Sequence, residues 1–319
     1  MLWLAGLMGL MAVGTVAYVD IDKDDDEEQE DLILPPEEDA QGGDILAGTD
    51  TADTLTGGDG NDQLGGYQGD DLLQGGAGDD TAQGAAGADT LSGGAGDDSL
   101  GGGDAADDIF GGDGHDTLSG ENDNDHLFGG DGSDSLQGSA GDDTLDGGTG
   151  DDALMGGLDD DVLTGGTGAD TLFGGWGDDT LSGVEDDPDS TGIQDTDAAD
   201  FLNGGGGDDQ ITAGQGDTVN TGDGADSVVL GDWINGGSAA HIEDFAASED
   251  SLLFVWDDSG EASTEPDVDV APDPANDGQL LVRVGGTTIA SISGATALQS
   301  ADIALVPLST ALQAGLIPT

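Results

Sequence analysis

A nine-residue repeat runs through the middle of the chain and constrains its fold more than any other feature. Residues 39–182 divide without remainder into 16 units of nine, and a typical unit reads Gly-Gly-Asp-Gly-His-Asp-Thr-Leu-Ser over residues 111–119. Position six is Asp in every unit. Position eight is Leu or Ile except at Ala82, and position one is Gly except at Asp39. A fixed period of this length predicts a solenoid of stacked units.

Each position in the unit has a physical role. One apolar residue between small polar residues is typical of a very short strand with one side chain turned inward. A single Leu in nine residues cannot form a core alone, so the units must stack and bury their leucines in a continuous row. Glycines at positions one, two and four allow the positive φ angles and close backbone approach of a tight turn.

Position six places one carboxylate in every turn. Successive coils lie about 4.8 Å apart, as strands do in a sheet, so these anions crowd and repel one another. Less regular units after residue 182 carry the same aspartate. The candidate site residues are Asp44, Asp53, Asp62, Asp71, Asp80, Asp89, Asp98, Asp107, Asp116, Asp125, Asp134, Asp143, Asp152, Asp161, Asp170, Asp179, Asp200, Asp209 and Asp226.

The chain offers almost no positive charge to balance these carboxylates. Lys23 and Arg283 are its only bases, against 71 Asp and Glu, and its net charge is −69. A hard divalent cation is therefore expected, and Ca²⁺ suits carboxylate and carbonyl oxygens better than Mg²⁺ does. With no Cys and three His, softer metals are disfavoured. The same charge excludes nucleic acid as a partner.

The units match the pattern G-G-x-G-x-D-x-U-x, in which U is a large apolar residue, and the chain thereby resembles the RTX, or hemolysin-type, calcium-binding repeat proteins. The resemblance implies an all-β parallel β-roll, with six residues in each turn, three in each strand and two units in each coil. It also implies several Ca²⁺ ions between successive turns, with the position-six aspartates as side-chain ligands and turn carbonyls supplying most other oxygens. Units lacking Gly at position four, such as the one with Asp123, are expected to bind more weakly or change shape.

Two segments precede the repeats. Residues 1–19 are almost wholly apolar and, as a short helix, are just long enough to span a bilayer. They are expected to be a membrane anchor or an export segment, with a cleaved signal peptide as the alternative. Residues 20–38 form an acidic linker.

The β-roll is expected over residues 39–229. Its regular part, 39–182, is followed by an acidic insertion at 183–194 and by degenerate repeats at 195–229, which include an eight-residue slip. Residues 230–319 are richer in Val, Ile, Leu and Trp and predict a small C-terminal β-rich cap. Its strands are expected at 250–256, 279–284 and 287–293, the last two joined as a hairpin by Gly285-Gly286. By the same resemblance, residues 301–319 are the place for a type I secretion signal.

The expected function is calcium binding by an extracellular protein, secreted or at the cell surface, whose roll folds on meeting external calcium and is disordered without it. No catalysis is expected, because the sequence holds no His-Glu-x-x-His, no Gly-x-Ser-x-Gly and no thiol. Two alternatives remain open. One is adhesion, with the cap binding a surface or matrix polysaccharide, and the other is the repeat part of an unrecognised secreted enzyme.

Overall fold

A computed structural model of the protein describes residues 42–184, 198–234, 238–259, 264–295 and 298–317. The apolar segment 1–19 and the acidic linker 20–38 lie outside the described residues, as does most of the insertion. Within the described ranges, no helix combines the length and apolar character needed to cross a membrane.

The described chain is built almost entirely of short strands, most of them six residues long. The roll contains β1 (Ile45–Ala47), β2 (Thr54–Asp59), β3 (Gln63–Gln68), β4 (Leu72–Ala77), β5 (Thr81–Ala86), β6 (Thr90–Ala95), β7 (Ser99–Asp104), β8 (Asp108–Asp113), β9 (Thr117–Asn122), β10 (His126–Asp131), β11 (Ser135–Ala140), β12 (Thr144–Thr149), β13 (Ala153–Leu158), β14 (Val162–Thr167), β15 (Thr171–Trp176), β16 (Thr180–Ser182), β17 (Phe201–Gly206), β18 (Gln210–Thr212), β19 (Thr218–Asp223) and β20 (Ser227–Gly231).

The chain passes alternately between two sheets. Odd-numbered strands from β1 to β19 lie in sheet A, and even-numbered strands from β2 to β20 lie in sheet B. Within the regular repeats each strand pairs in parallel with the strand 18 residues later, as Leu127 with Leu145 in sheet B and Leu136 with Leu154 in sheet A. Two nine-residue units therefore make one coil, and the expected all-β parallel solenoid is confirmed.

Most strands are longer than the family resemblance implied. A typical strand of six residues covers positions seven to nine of one unit and positions one to three of the next, where three residues were expected, whereas β1, β16 and β18 have three residues. Position two has a positive φ, 123° at Gly76 and also 80° where the residue is Tyr67. The chain bends here while pairing with the neighbouring coil continues before the bend, as at Gln74, and after it, as at Ala77. Backbone hydrogen bonding thus extends into what was expected to be turn, through a positive φ that glycine adopts most readily.

Three of the four turns that lack glycine at position four keep a positive φ there. Ala105, Asp123 and Asp159 have φ angles of 82°, 70° and 73°, whereas the position-four glycines range from 111° at Gly69 to 146° at Gly114. Thr51, in the second repeat, is not among the residues with positive φ. These turns therefore differ in φ from the glycine turns, and a positive φ costs non-glycine residues energy. Weaker binding at these units stays a prediction.

The interior of the roll is a double row of position-eight side chains. Leu73, Leu91 and Leu127 are completely buried, and Ala82 takes the same place in its unit. The row runs without a break into the C-terminal residues, where Phe254 and Ile292 join the same apolar cluster. Stacking supplies the core that no single unit can make.

The C-terminal strands extend the same two sheets. They are β21 (Ala240–Glu243), β22 (Ser251–Trp256), β23 (Val268–Pro272), β24 (Gln279–Val284), β25 (Thr287–Ser293) and β26 (Ile303–Pro307), followed by the short helix α1 (Leu308–Ala314). Strands β23, β24 and β25 are antiparallel and end sheet A, and β26 ends sheet B. The three expected strands and the hairpin at Gly285-Gly286 are thus present. That this region serves as a cap stays a prediction.

Candidate metal centre

The position-six aspartates stand at the start of the strands, where backbone hydrogen bonds hold them in register. The carbonyl of Asp62 accepts the N–H of Thr81 one coil later at 2.9 Å, and the N–H of Asp62 donates to Oδ1 of Asp80 at 2.7 Å. This second bond recurs between Asp107 and Asp125 at 2.8 Å. Each carboxylate is therefore fixed by the backbone of the preceding coil, and the aspartates form two columns, one along each edge of the roll.

The first column runs through Asp44, Asp62, Asp80, Asp98, Asp116, Asp134, Asp152, Asp170 and Asp200. The second column runs through Asp53, Asp71, Asp89, Asp107, Asp125, Asp143, Asp161, Asp179, Asp209 and Asp226. All 19 candidate residues thus lie in one of two continuous rows. Asp44 and Asp53, in the first described coil, are partly buried, and the others are at most 3% exposed.

The two oxygens of an interior aspartate have different surroundings. Oδ1 accepts the N–H bond from the preceding coil, whereas Oδ2 is buried and has no hydrogen-bond donor. This holds for Asp71, Asp80, Asp89, Asp98, Asp107, Asp116, Asp125, Asp134, Asp143, Asp152, Asp161, Asp170, Asp179, Asp209 and Asp226. A buried charged oxygen without a partner costs several kcal/mol. Such an oxygen recurs at all 15 of these aspartates, and this repetition indicates that a positive charge belongs beside each of them.

The glycine at position one leaves the space in which this oxygen lies. A Cβ built on Gly129 would stand 2.5 Å from Oδ2 of Asp134 and 2.5 Å from the carbonyl oxygen of Gly147, one coil later. A Cβ on Gly147 would meet Oδ2 of Asp152 at 2.6 Å in the same way. Only glycine allows a carboxylate oxygen and a carbonyl oxygen of adjacent coils to share this space. Both are the oxygen type that Ca²⁺ prefers.

Electrostatics also favour a cation. Burial raises the pKa of Asp161 to about 8 and those of Asp107, Asp125, Asp152 and Asp209 to about 7. The N–H bond from the preceding coil opposes this rise, and neighbouring carboxylates add to it. Each shift measures how unfavourable a bare anion is at that position.

Side chains alone cannot complete a site. Across the described residues, no group of three or more His, Asp or Glu side chains is arranged to hold a metal. Arg283 is the one base in the described part of the chain, and it contacts Asp269 at 3.4 Å, outside the repeats. The residues therefore fit a hard cation held by carboxylate oxygens of the columns together with backbone carbonyls.

Position five, which the nine-residue pattern leaves variable, carries a second ladder of hydrogen bonds. The side chain of Asp79 accepts the N–H of Asp97, Asp97 accepts that of His115, and Nδ1 of His115 accepts that of Ser133. The ladder on the other edge includes Asp160. These exposed acceptors tie neighbouring turns together in the direction opposite to the position-six bonds. Their signal in the sequence is the frequency of Asp, Asn and Ser at position five.

Two further aspartates continue the columns. Asp217 is 1% exposed, and its Oδ1 accepts the N–H of Asp200 at 3.0 Å. It lies in the eight-residue slip, which the structure shows to be a unit with one residue fewer, because the register advances by 17 residues here. Asp250 accepts the N–H of Asp226 at 3.2 Å. Both are followed by an apolar residue two positions later, Val219 and Leu252, and this Asp-x-apolar signal identifies them in the sequence.

The two-sheet solenoid and its rows of buried carboxylates define a class, the repeat β-solenoids with acidic turns. A family model described as the RTX calcium-binding nonapeptide repeat matches residues 40–73, 65–100, 101–136, 128–163, 155–187 and 193–219. These matches cover more than half of the chain, and the protein therefore belongs to the RTX calcium-binding repeat family.

Among solved structures, the extracellular lipase LipA from Serratia marcescens is similar at 14% identity, with a TM-score of 0.23. The match covers 60% of this chain and 40% of the lipase chain, so this protein spans less than half of that enzyme's length. No curated protein matches the sequence.

Proposed function

We propose that the protein is a secreted or cell-surface calcium-binding β-roll that folds on meeting extracellular calcium and acts without catalysis. The observation that carries this proposal is the repeated Oδ2 atom, buried and without a donor in turn after turn. Calcium supplies the positive charge that these oxygens lack. The proposed side-chain ligands are the position-six aspartates of the two columns whose Oδ2 has no donor in the protein, assisted by the turn carbonyls.

Folding on calcium follows from the charge balance. Without cations, closing the roll brings carboxylates of adjacent coils together and removes them from water, so repulsion and desolvation both oppose folding. A cation that binds only the folded chain adds its binding free energy to folding. A chain of net charge −69 remains expanded and soluble until then.

Far-UV circular dichroism with and without EDTA tests this proposal. We expect a disordered spectrum in EDTA and a strand spectrum once calcium is in excess, with magnesium at the same concentration much less effective. An identical strand spectrum in both conditions contradicts the proposal. Calorimetric titration of calcium into the chelated protein then counts the ions bound.

The extracellular location is part of the same proposal. Cytosolic calcium is far below the levels that occupy weak sites, whereas extracellular modules bind at about 10⁻⁴–10⁻³ M. We propose residues 1–19 as an anchor or export segment and residues 301–319 as the secretion signal region. Expression of chains lacking either segment, followed by measurement of protein in the medium and in the membrane fraction, separates the two routes.

A second candidate function, adhesion, is favoured by one surface. An apolar platform lies on sheet A and consists of Met155, Leu158, Phe173, Trp176 and Phe201. Trp176 is 70% exposed and pairs across the strands with Leu158, which is 51% exposed. The rings of Phe173 and Phe201 lie 5.7 Å apart. Exposed aromatic platforms with polar surroundings mark interaction sites and suit flat apolar faces such as those of sugar rings.

The matched variants are Trp176→Ala on sheet A and Phe128→Ala on sheet B, since Phe128 is also exposed but stacks only on Phe110. If adhesion is correct, Trp176→Ala abolishes the retardation of the calcium-loaded protein in gels containing a neutral polysaccharide, and Phe128→Ala does not. Equal migration of all three proteins, with and without polysaccharide, rejects this second function.

A further inference from the structure

The ends of the two columns differ from their interior. Oδ2 lacks a donor in the 15 interior aspartates given for the candidate metal centre, such as Asp143. At three terminal positions the protein itself supplies a donor. Oδ2 of Asp53 accepts the N–H of Thr49 at 2.6 Å and its hydroxyl at 2.9 Å. Oδ2 of Asp217 accepts the N–H of Gly214 at 2.6 Å. Oδ2 of Asp250 accepts the N–H of Ala246 at 2.7 Å.

The turn next to Asp250 is also filled sterically. Position one of the unit that holds Asp226, a position that is glycine in the interior, is occupied by Thr221, whose side chain is buried. Its hydroxyl donates to the carbonyl of Asp244 at 3.2 Å and lies 3.4 Å from Oδ2 of Asp250. A side chain thus stands where interior turns leave open space, next to the final carboxylate.

From these contacts we propose that Asp53, Asp217 and Asp250 are cation-independent ends of the columns, at which protein N–H and O–H groups take the place of a metal ion. This inference rests on calcium binding by the interior turns. The physical reason is that a carboxylate oxygen already satisfied by donors gains little from a cation. The donor dipoles also point their positive ends at the space a cation would need.

The calcium sites are therefore limited to the turns between these ends. A carboxylate left bare at either end would add an unpaired charge next to the terminal coil, at a cost that no neighbouring ion offsets. Donors from Thr49 and Ala246 remove that cost without metal. The difference between end and interior turns comes from residues that depart from the nine-residue pattern. The unit of Asp53 has Thr49 at position two and Thr51 at position four, where the unit of Asp143 has Ser139 and Gly141.

Three substitutions in one column test the proposal: Asp53→Asn at its start, Asp143→Asn in its middle and Asp250→Asn at its end. Each keeps the shape of the side chain and removes its charge. The full-length proteins are dialysed to equilibrium against the same calcium buffer, and bound calcium per chain is measured by elemental analysis as the excess over the dialysate, with circular dichroism of the same samples. We expect Asp53→Asn and Asp250→Asn to retain the ion count of the parent protein and Asp143→Asn to lose at least one ion.

Loss of the same number of ions from all three variants overturns the proposal, as does an unchanged count in Asp143→Asn. If Asp250→Asn shows no strand spectrum, Asp53→Asn decides, because its turn belongs to the first described coil and, among the described residues, contacts a neighbouring coil on one side. Failure of the parent protein to bind calcium has a different meaning, since it rejects the proposed function and not the distinction between end and interior turns.

Discussion

Replacing either of two adjacent glycines by alanine should change the free energy of unfolding in opposite directions. Gly66 stands at position one, and a Cβ there would lie 2.2 Å from Oδ2 of Asp71, 2.9 Å from the carbonyl oxygen of Gly84 and 3.0 Å from Cγ of Asp71. Gly65 stands at the end of the preceding unit, where the nearest atom to a Cβ is a ring carbon of Tyr67 at 3.9 Å. Neither glycine has a positive φ, so backbone strain does not distinguish them.

The expected magnitudes follow from these distances. Gly65→Ala adds no clash and removes freedom from the unfolded chain, which stabilises by about 0.4–1 kcal/mol. Gly66→Ala must displace backbone or the Asp71 carboxylate, and overpacking of this kind costs about 1–3 kcal/mol. The free energies of unfolding of the two variants should therefore differ by about 1.5–4 kcal/mol. Because the added methyl group pushes Oδ2 of Asp71 out of place, Gly66→Ala should also bind fewer calcium ions.

The assay is urea unfolding in excess calcium, followed by circular dichroism, together with a calorimetric count of bound calcium. The parent protein and Gly65→Ala should bind the same number of ions. Equal stability and equal ion counts for Gly65→Ala and Gly66→Ala would refute the reasoning that position one must be glycine to leave room for the carboxylate and its cation.

Two other predictions concern the core and the effect of pH. Leu127→Ala removes a completely buried side chain and should lower the free energy of unfolding in calcium by about 2–5 kcal/mol. Phe128→Ala, at the exposed neighbouring residue, removes the stack on Phe110 and should lower it by about 0.5–1.5 kcal/mol; similar urea midpoints for both would contradict the assigned core. Burial raises the pKa of Asp125 to about 7 and that of Asp161 to about 8 in the ion-free roll, from 3.8. Raised carboxyl pKa values favour the folded state fully below about pH 4, and this contribution is lost as pH rises through about 7–8. In calcium-free buffer, strand content should therefore be higher at about pH 4 than at about pH 8.5 by circular dichroism. Calcium affinity should show the opposite dependence and fall as protons compete for the same oxygens, and a pH-independent spectrum and affinity would contradict the raised values.

Much of the fold could be predicted because the pattern is local. A Leu at every ninth residue, next to small polar residues, identifies the inward side of each strand, and the stacked leucines from Leu73 onward are buried as expected. The two columns follow instead from the two units per coil that the family resemblance implies, since every second Asp at position six then returns to the same edge. Strand length was predicted less well, because pairing across the positive-φ glycine, as at Gly76, depends on the neighbouring coil and not on the unit itself.

The sequence by itself determined the period and the buried row, since both follow from a spacing repeated within nine residues. The tertiary structure decided which carboxylates the protein satisfies. Asp71 and Asp53 both stand at position six, yet Oδ2 of Asp71 is without a donor and Oδ2 of Asp53 is bonded to Thr49 of its own turn. The tertiary structure also decided that Asp250 continues a column through a contact 24 residues away. The donors to Oδ1 come from the neighbouring coil, and only the stacked coils bring these partners together.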